Sequence, residues 1–320
     1  MNPVLFRVPF LDVPYHAYGF FLAVAFLSGI ALSVREGKRQ GFPANQIVQL
    51  CFISIVTSLL GSRLLHLVMV ERSAFFSDPA MFFRFTKGGY AFYGGLLVGM
   101  ATTWTYSRIQ GWRGLQLADV WAPGIVFGLM FGRTGCLLAG CCHGRPIEAP
   151  LPGWLAGVLP FQWPSWFALS FPADAGGLGS IHDHPLVPTQ PLSGLACLAI
   201  FLVLVLLVAP KKRYHGQVFV WMYLLYALAR STVELFRGDD RGLYFDEALS
   251  TSQLVSVPVA LLGLGILIWA RMRLKSGALQ PLPAGWRARS REAGARIHPP
   301  TPAPARSAKG GAKKRKKRRH

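Results

Sequence analysis

Arg63, Arg133 and Arg230 lie inside stretches that are otherwise apolar enough to cross a bilayer. A charge at that depth costs roughly 2.5–3.5 kcal/mol on insertion scales. Only one acidic residue, Glu234, is read at a comparable position, so three positive charges await an anion that the protein does not supply. A phospholipid head group is such an anion, and it comes from the membrane itself. Arginine suits the work, because its planar fork binds phosphate oxygens bidentately. The structural alternative is an arginine bonded to backbone carbonyls at a helix kink.

Tyr226, Arg230, Glu234 and Arg237 are spaced at i, i+4, i+8 and i+11. At 100° per residue they share about an 80° arc of one helix. Arg230 and Glu234 can pair there, which orients the guanidinium and leaves part of its donor fork free. Arg133 is set between Gly132 and Gly135 in Phe131-Gly132-Arg133-Thr134-Gly135. The small neighbours let a head group approach both backbone and guanidinium.

Four further groups with chemical potential follow at once: Cys136, Cys141, Cys142 and His143. Their spacing is not a paired CxxC zinc pattern. Three readings stand open: small polarizable packing residues beside glycines, a reactive or redox-sensing thiol, and a Cys136–Cys141 bridge on an oxidising face. Cys51 and Cys197 read as ordinary membrane-core residues.

The elements that must carry these groups are legible from hydropathy. Of 320 residues, 52% are apolar and 15% charged, below the quarter typical of soluble domains. Seven apolar stretches have about the length needed to cross ~30 Å of hydrocarbon: roughly 17–34, 46–70, 89–106, 118–142, 191–209, 216–236 and 252–270. The expected fold is therefore all-α, a polytopic membrane protein of seven transmembrane helices. The third is the weakest helix, since Gly88, Gly89, Gly94, Gly95 and Gly99 lower its propensity; a small-residue packing surface is the other reading of those glycines. The first apolar run lacks a basic flank and is too long for a cleaved signal segment.

With the amino terminus outside, the inner loops hold Arg35, Lys38, Arg39, Arg108, Arg113, Lys211, Lys212 and Arg213, and the same side receives the tail. Among the acidic residues, Asp239, Asp240, Asp246 and Glu247 then fall outside. The positive-inside rule selects this orientation, with the carboxyl terminus cytoplasmic. Residues 1–270 read as the membrane domain. Its outer segment, 143–190, is rich in aromatic residues (Trp154, Phe161, Trp163, Trp166, Phe167, Phe171); it suits either a cover over a site or an interfacial anchor. Residues 271–320 carry sixteen Lys or Arg and one Glu, and read as a basic, disordered tail. Its natural partner is an anionic membrane surface, and no specific nucleic acid is expected.

Taken in order, these motifs resemble the prolipoprotein diacylglyceryl transferase family over about Tyr15 to Trp269. Ala17-Tyr18-Gly19 is similar to the family's aromatic-Tyr-Gly, and Gly61-Ser62-Arg63 to its Gly-x-Arg. Gly88 to Leu97 resembles the segment that contains His-Gly-Gly-Leu, and Gly132-Arg133-Thr134-Gly135, on to Gly140 and Gly144-Arg145, the Gly-Arg-x-Gly-Asn signature. Pro188-Thr189-Gln190, then Tyr226-x3-Arg230-x3-Glu234-x2-Arg237 with Asp240, and Ser252 to Pro258 complete the series.

The resemblance implies transfer of the diacylglyceryl group of phosphatidylglycerol to the lipobox cysteine thiol of a prolipoprotein, at the bacterial inner membrane. A thioether forms, glycerol 1-phosphate leaves, and no cofactor or metal is called for. The thiol must lose its proton, and the departing phosphate must be stabilised. By the same resemblance Arg133 and Arg230 act on the phosphate. Tyr18, Arg63, Gly94, Gly95, Gly144, Tyr226, Glu234 and Arg237 line or support the substrate site. The chain departs from the family at Tyr93, where a histidine stands, and at Cys136, Cys141 and Val187, which replace an asparagine, an acidic residue and a histidine. Tyr93 or His143 is then the candidate base. The alternatives are a non-catalytic anionic-phospholipid-binding or lipid-moving paralogue, and a redox protein working through Cys136 and Cys141.

Overall fold

A computed structural model describes residues 4–7, 14–84, 88–148, 163–171, 184–238, 243–244, 249–283, 285–286, 288 and 292. Asp239, Asp240, Asp246 and Glu247, Trp154 and Phe161, and the tail beyond 292 lie outside the described residues. The chain opens with a short antiparallel pair, β1 (Val4–Arg7) and β2 (Pro14–His16). Helices follow: α1 (Ala17–Arg39), α2 (Ala44–Met69), the short α3 (Arg72–Ser77) and a 3-10 turn at Pro79–Phe83. Next come α4 (Phe92–Ile109), α5 (Gly114–Leu138), α6 (Thr189–Leu202, continued by a π turn to Val208) and α7 (Gln217–Glu234). A second small pair, β3 (Leu243–Tyr244) and β4 (Leu249–Ser250), leads into α8 (Thr251–Lys275).

Among the described residues, five helical segments are long and apolar enough to cross a membrane: Ala17–Arg39, Ala44–Met69, Gly114–Leu138, Thr189–Val208 and Ser256–Lys275. Large apolar side chains such as Leu27, Phe52, Leu97, Leu261 and Leu262 face outward from them and from α4, which in water would be a liability and in lipid is the required surface. The core runs between α5, α6 and α7, where Val126, Cys197, Ile200, Leu204, Val218 and Met222 are buried together. Helix α1 packs along α5, α8 along α7, and α2 along α4.

The α2–α4 pairing explains the glycines. A Cβ on Gly94 would sit 2.6 Å from Leu65 Cβ and 3.0 Å from the Gly61 carbonyl carbon, and one on Gly95 would sit 3.0 Å from the Ser58 carbonyl oxygen. Helix backbones this close require absent side chains. The packing reading of the glycine-rich third span therefore accounts for both positions without a ligand.

The fourth apolar stretch ends earlier as a helix than hydropathy drew it, at Leu138 instead of 142. Gly140, with φ +70°, turns the chain, and the Cys141 N–H closes a six-residue turn onto the Cys136 carbonyl at 3.1 Å. This is a Schellman stop, which needs a residue in the left-handed region.

At the opposite end of the bundle the structure corrects the count of buried acids. Asp119 lies in the first turns of α5 with its side chain fully buried, and it pairs with Lys212 at 2.8 Å. The same carboxylate accepts N–H bonds from Gly216 (2.7 Å) and Phe219 (2.9 Å), at the start of α7. Gln40, at the end of α1, accepts from Lys212 (3.3 Å) through its side chain and from the Gln116 amide (3.1 Å) through its carbonyl. Glu234 is thus not the single acidic residue within the apolar stretches. Asp119 is satisfied locally and leaves the three arginines at the other end untouched.

Candidate functional site

The arginines part company in the structure. Arg63, on α2, is 1% exposed. Its Nη1 donates to the carbonyls of Gly88 and Gly89 (3.2 Å for Gly89), and its Nη2 to those of Met81 (3.1 Å) and Arg84 (3.3 Å). The guanidinium clamps the loop that leads into α4. Its terminal nitrogens are spent on backbone, so a lipid contact at Arg63 gains no support from this placement. The alternative of a carbonyl-bonded structural arginine describes it instead.

Arg133 and Arg230 face one another's neighbourhood across α5 and α7. The Arg133 guanidinium and the Tyr226 phenol line the same crevice and lie within electrostatic reach of one another. Arg230 pairs with Glu234 one turn on, and Arg237 Nε stands 3.8 Å from the same Glu234 oxygen. The i, i+4, i+8 part of the stripe is present on α7, whereas Arg237 lies past the helix end at Glu234, bridged to Gly144, and returns to the same carboxylate; all three charged side chains are largely buried. A narrow crevice between α5, α6 and α7 is lined by Arg133, Ser193, Ala196, Cys197, Tyr226, Ala229, Arg230 and Val233. Ser193 and Cys197 lie on α6 and carry no signal in the sequence beyond being small.

Tyr18 approaches the same end from α1. It packs over Gly135, where an added Cβ would meet its ring at 3.2 Å, and it lies within electrostatic reach of Arg133 and of Cys136, Cys141 and Cys142. The three cysteines gather at the end of α5, Cys136 in its last turn and Cys141 and Cys142 just beyond it, with their Sγ atoms all within 4.8 Å of one another. None is in a disulfide. Arg237 lies within electrostatic reach of Cys142, so the cluster adjoins the polar residues at the end of α7.

Thr189 and Gln190 explain why a Pro-Thr-Gln run opens α6. The Thr189 hydroxyl donates to the Cys142 carbonyl and the Gln190 amide to the Cys141 carbonyl, both at 3.0 Å. Two buried side chains from a distant helix thereby fix the cysteine turn. After it, residues 143–147 run extended between two other segments: Arg145 N–H bonds Phe236 O at 3.0 Å, and Val187 N–H bonds Arg145 O at 2.9 Å. Gly144 is confined there, since a Cβ would come within 2.8 Å of Val187 Cβ; close packing accounts for this glycine. Trp163 from the aromatic outer segment rests on Phe236, ring centroids 5.6 Å apart, beside Arg237.

The two candidate bases are placed differently. Tyr93 is on the first turn of α4, 45% exposed, with its ring against Phe92. Its helix packs on α2, and among the described contacts nothing joins it to the Arg133 crevice. His143 is buried, and its Nδ1 faces the Gly144 carbonyl at 3.0 Å. Opposite a carbonyl only a nitrogen that carries a hydrogen can bond, so Nδ1 is the donor in this contact.

Comparison with known proteins adds one consistent relationship. Residues 3–269 match the family model described as prolipoprotein diacylglyceryl transferase. A phosphatidylglycerol–prolipoprotein diacylglyceryl transferase of Clostridium tetani is 30% identical over 275 residues, covering 85% of this chain and 99% of its own. Relatives of the same description from Clostridium perfringens (number 2 of that species) and Photorhabdus laumondii are 29% and 28% identical, over 81% and 84% of this chain and 92% of each relative.

Proposed function

The chain belongs to the prolipoprotein diacylglyceryl transferase family, and from that membership we propose that it transfers the diacylglyceryl group of phosphatidylglycerol to the lipobox cysteine of a prolipoprotein. The observation that supports this most is the crevice that two partly buried guanidiniums, Arg133 and Arg230, share with Tyr226, with Arg230 held by Glu234.

The chemistry asked of such a crevice is specific. The acceptor thiolate attacks the glycerol carbon that bears the phosphate, the C–O bond breaks, and glycerol 1-phosphate departs with one additional negative charge. Preorganised donors in a dry site act on that developing charge without reorganising. Arg133 and Arg230 take this role, Glu234 holds Arg230, Tyr226 lines the same crevice, and Tyr18 packs at the entrance. Arg237 stands at the outer rim of the stripe. Arg63, Gly94, Gly95 and Gly144 act one step away, by setting the loop and the close helix contacts that shape the site. The acceptor thiol must surrender its proton, and the candidate bases are His143, buried in the turn after the cysteines, and the half-exposed phenol of Tyr93.

In the membrane, the 18-residue helices α4 and α7 join the five longer spans to give seven crossings. The amino terminus then faces outside, the site lies toward the outer leaflet of the bacterial inner membrane, and the Lys212 end faces the cytoplasm. Residues 1–270 form this unit, and the basic residues beyond 271 rest on anionic cytoplasmic lipid. The test is a purified sample with phosphatidylglycerol and a lipobox peptide, read by peptide mass. A diacylglyceryl gain on the cysteine peptide and none on its serine counterpart is expected; an unmodified cysteine peptide under conditions where lipid is retained would overturn the assignment.

A further inference from the structure

The cysteine cluster is left unused by the transfer step as written. Cys136 comes from the last turn of α5, Cys141 is folded back over it by the Gly140 turn, and Cys142 follows with φ +62°, the one non-glycine residue of positive φ among those described. Three sulfurs converge within 4.8 Å. In a tetrahedral zinc site, Zn–S bonds of about 2.3 Å put sulfurs about 3.8 Å apart. The cluster therefore needs a contraction of at most about 1 Å to become a three-thiolate ligand set. Packing alone does not require three thiols at one point, nor two side chains, Thr189 and Gln190, spent on holding the carbonyls of Cys141 and Cys142. The charge balance also fits. Three thiolates on a divalent ion leave one net negative charge, and Arg133 and Arg237 both act on the cluster.

We propose that Cys136, Cys141 and Cys142 bind a thiophilic metal ion, Zn2+ in the first instance, whose open fourth position takes the sulfur of the acceptor cysteine. This rests on the transferase reading and deepens it. Three protein ligands with one open position are the arrangement of a catalytic zinc site, and a coordinating thiol is deprotonated outright. The acceptor S–H proton is released to a weak base or to water as the sulfur binds. The thiolate then attacks the glycerol carbon of the lipid held at Arg133, the C–O bond breaks, and glycerol 1-phosphate leaves. The product thioether carries no charge and is a weaker ligand than thiolate, so it vacates the fourth position. No oxidation or reduction occurs.

The full-length protein in phosphatidylglycerol-containing detergent is equilibrated with Zn2+, washed, and assayed for metal; in parallel it is loaded with Co2+ and its visible spectrum recorded. About one Zn2+ per chain is expected in the wild type and in C51S, and loss of at least 90% of it in the triple variant C136S/C141S/C142S. The Co2+ form is expected to show thiolate charge-transfer bands and tetrahedral d–d bands, and the latter shift when a lipobox cysteine peptide is added but not its serine counterpart. Retention of bound phosphatidylglycerol by the triple variant shows that it is folded and keeps the transferase reading intact whatever the metal result. Absence of metal from the wild type, equal metal in the triple variant, or a Co2+ spectrum indifferent to the cysteine peptide would each overturn the proposal.

Discussion

Arg230 and Glu234 form an ion pair along one face of α7, with the Arg230 side chain 12% exposed and that of Glu234 5% exposed. Glu234 also stands 3.8 Å from Arg237, so one carboxylate serves two guanidiniums. It offsets part of their charge and fixes their direction. If Arg230 acts on the leaving phosphate, its orientation matters as much as its presence.

Glu234→Gln is therefore expected to slow transfer by roughly 10²-fold, the scale of a 1 Å misplacement of a catalytic group. Lipid retention should change much less, because both positive charges remain. Initial rates of peptide modification, set beside the amount of co-purified phosphatidylglycerol, check this.

Arg63 makes the opposite prediction. Four backbone carbonyls accept from its guanidinium, and each buried group left without a partner costs about 1–3 kcal/mol. Arg63→Met should destabilise the protein by about 3 kcal/mol or more, and Arg63→Lys should restore little of it, since one ammonium cannot span the same acceptors. Thermal unfolding in detergent measures both. A fully stable Arg63→Met variant that binds lipid poorly would return Arg63 to the lipid site.

Much of this placement was legible in the sequence, and the reasons differ by residue. Charges inside apolar runs marked Arg133, Arg230 and Glu234, because the cost of burying them leaves few uses but chemistry or pairing. The i, i+4 spacing then brought Arg230 to Glu234 correctly. Sequence could not separate Arg63 from the other two, since a carbonyl clamp and a phosphate clamp ask for the same side chain. Its acceptors lie 18 to 26 residues away, in a loop without a pattern. Asp119 escaped notice because it sits at the edge of an apolar stretch, where a charge normally reaches water. Only the fold shows it sealed by Lys212. The gathering of Cys136 and Cys141 did have a signal: a glycine four positions after a helical residue, with the next residue folding back, is the signature of a Schellman stop.

The Asp119–Lys212 pair gives a third expectation. Removing one partner of a buried pair leaves an uncompensated charge and costs about 3–5 kcal/mol, whereas replacing both with apolar residues costs far less. Lys212→Met alone should be severely destabilised, and Asp119→Leu with Lys212→Met should recover part of the loss. Recovery will be incomplete, because Asp119 also caps the Gly216 and Phe219 amides. A double-mutant cycle of unfolding midpoints reads the coupling, and additive single effects would contradict the pairing.

His215, in the loop between α6 and α7, supplies a pH dependence. Burial, followed by the positive charges of Lys212 and Arg113, lowers its pKa to about 4 from an ordinary 6.5. The unfolded chain then binds the proton more readily than the folded one across that interval. Stability should be at its full value above about pH 6.5 and fall as the pH drops toward 4. His215→Gln should flatten the slope of unfolding midpoint against pH in this window; an unchanged slope would remove His215 as its source.

The most direct measurement is the mass of a lipobox peptide after incubation with phosphatidylglycerol and either wild-type protein or Arg133→Ala, with released glycerol phosphate followed in the same samples. The wild type should add one diacylglyceryl group and release glycerol phosphate in equal amount. The variant should lose roughly 10²–10³ of that rate, the loss seen when a single charge-stabilising donor is removed. Equal rates in the two proteins, or glycerol phosphate release without peptide modification, would contradict a transferase whose leaving group is stabilised by Arg133.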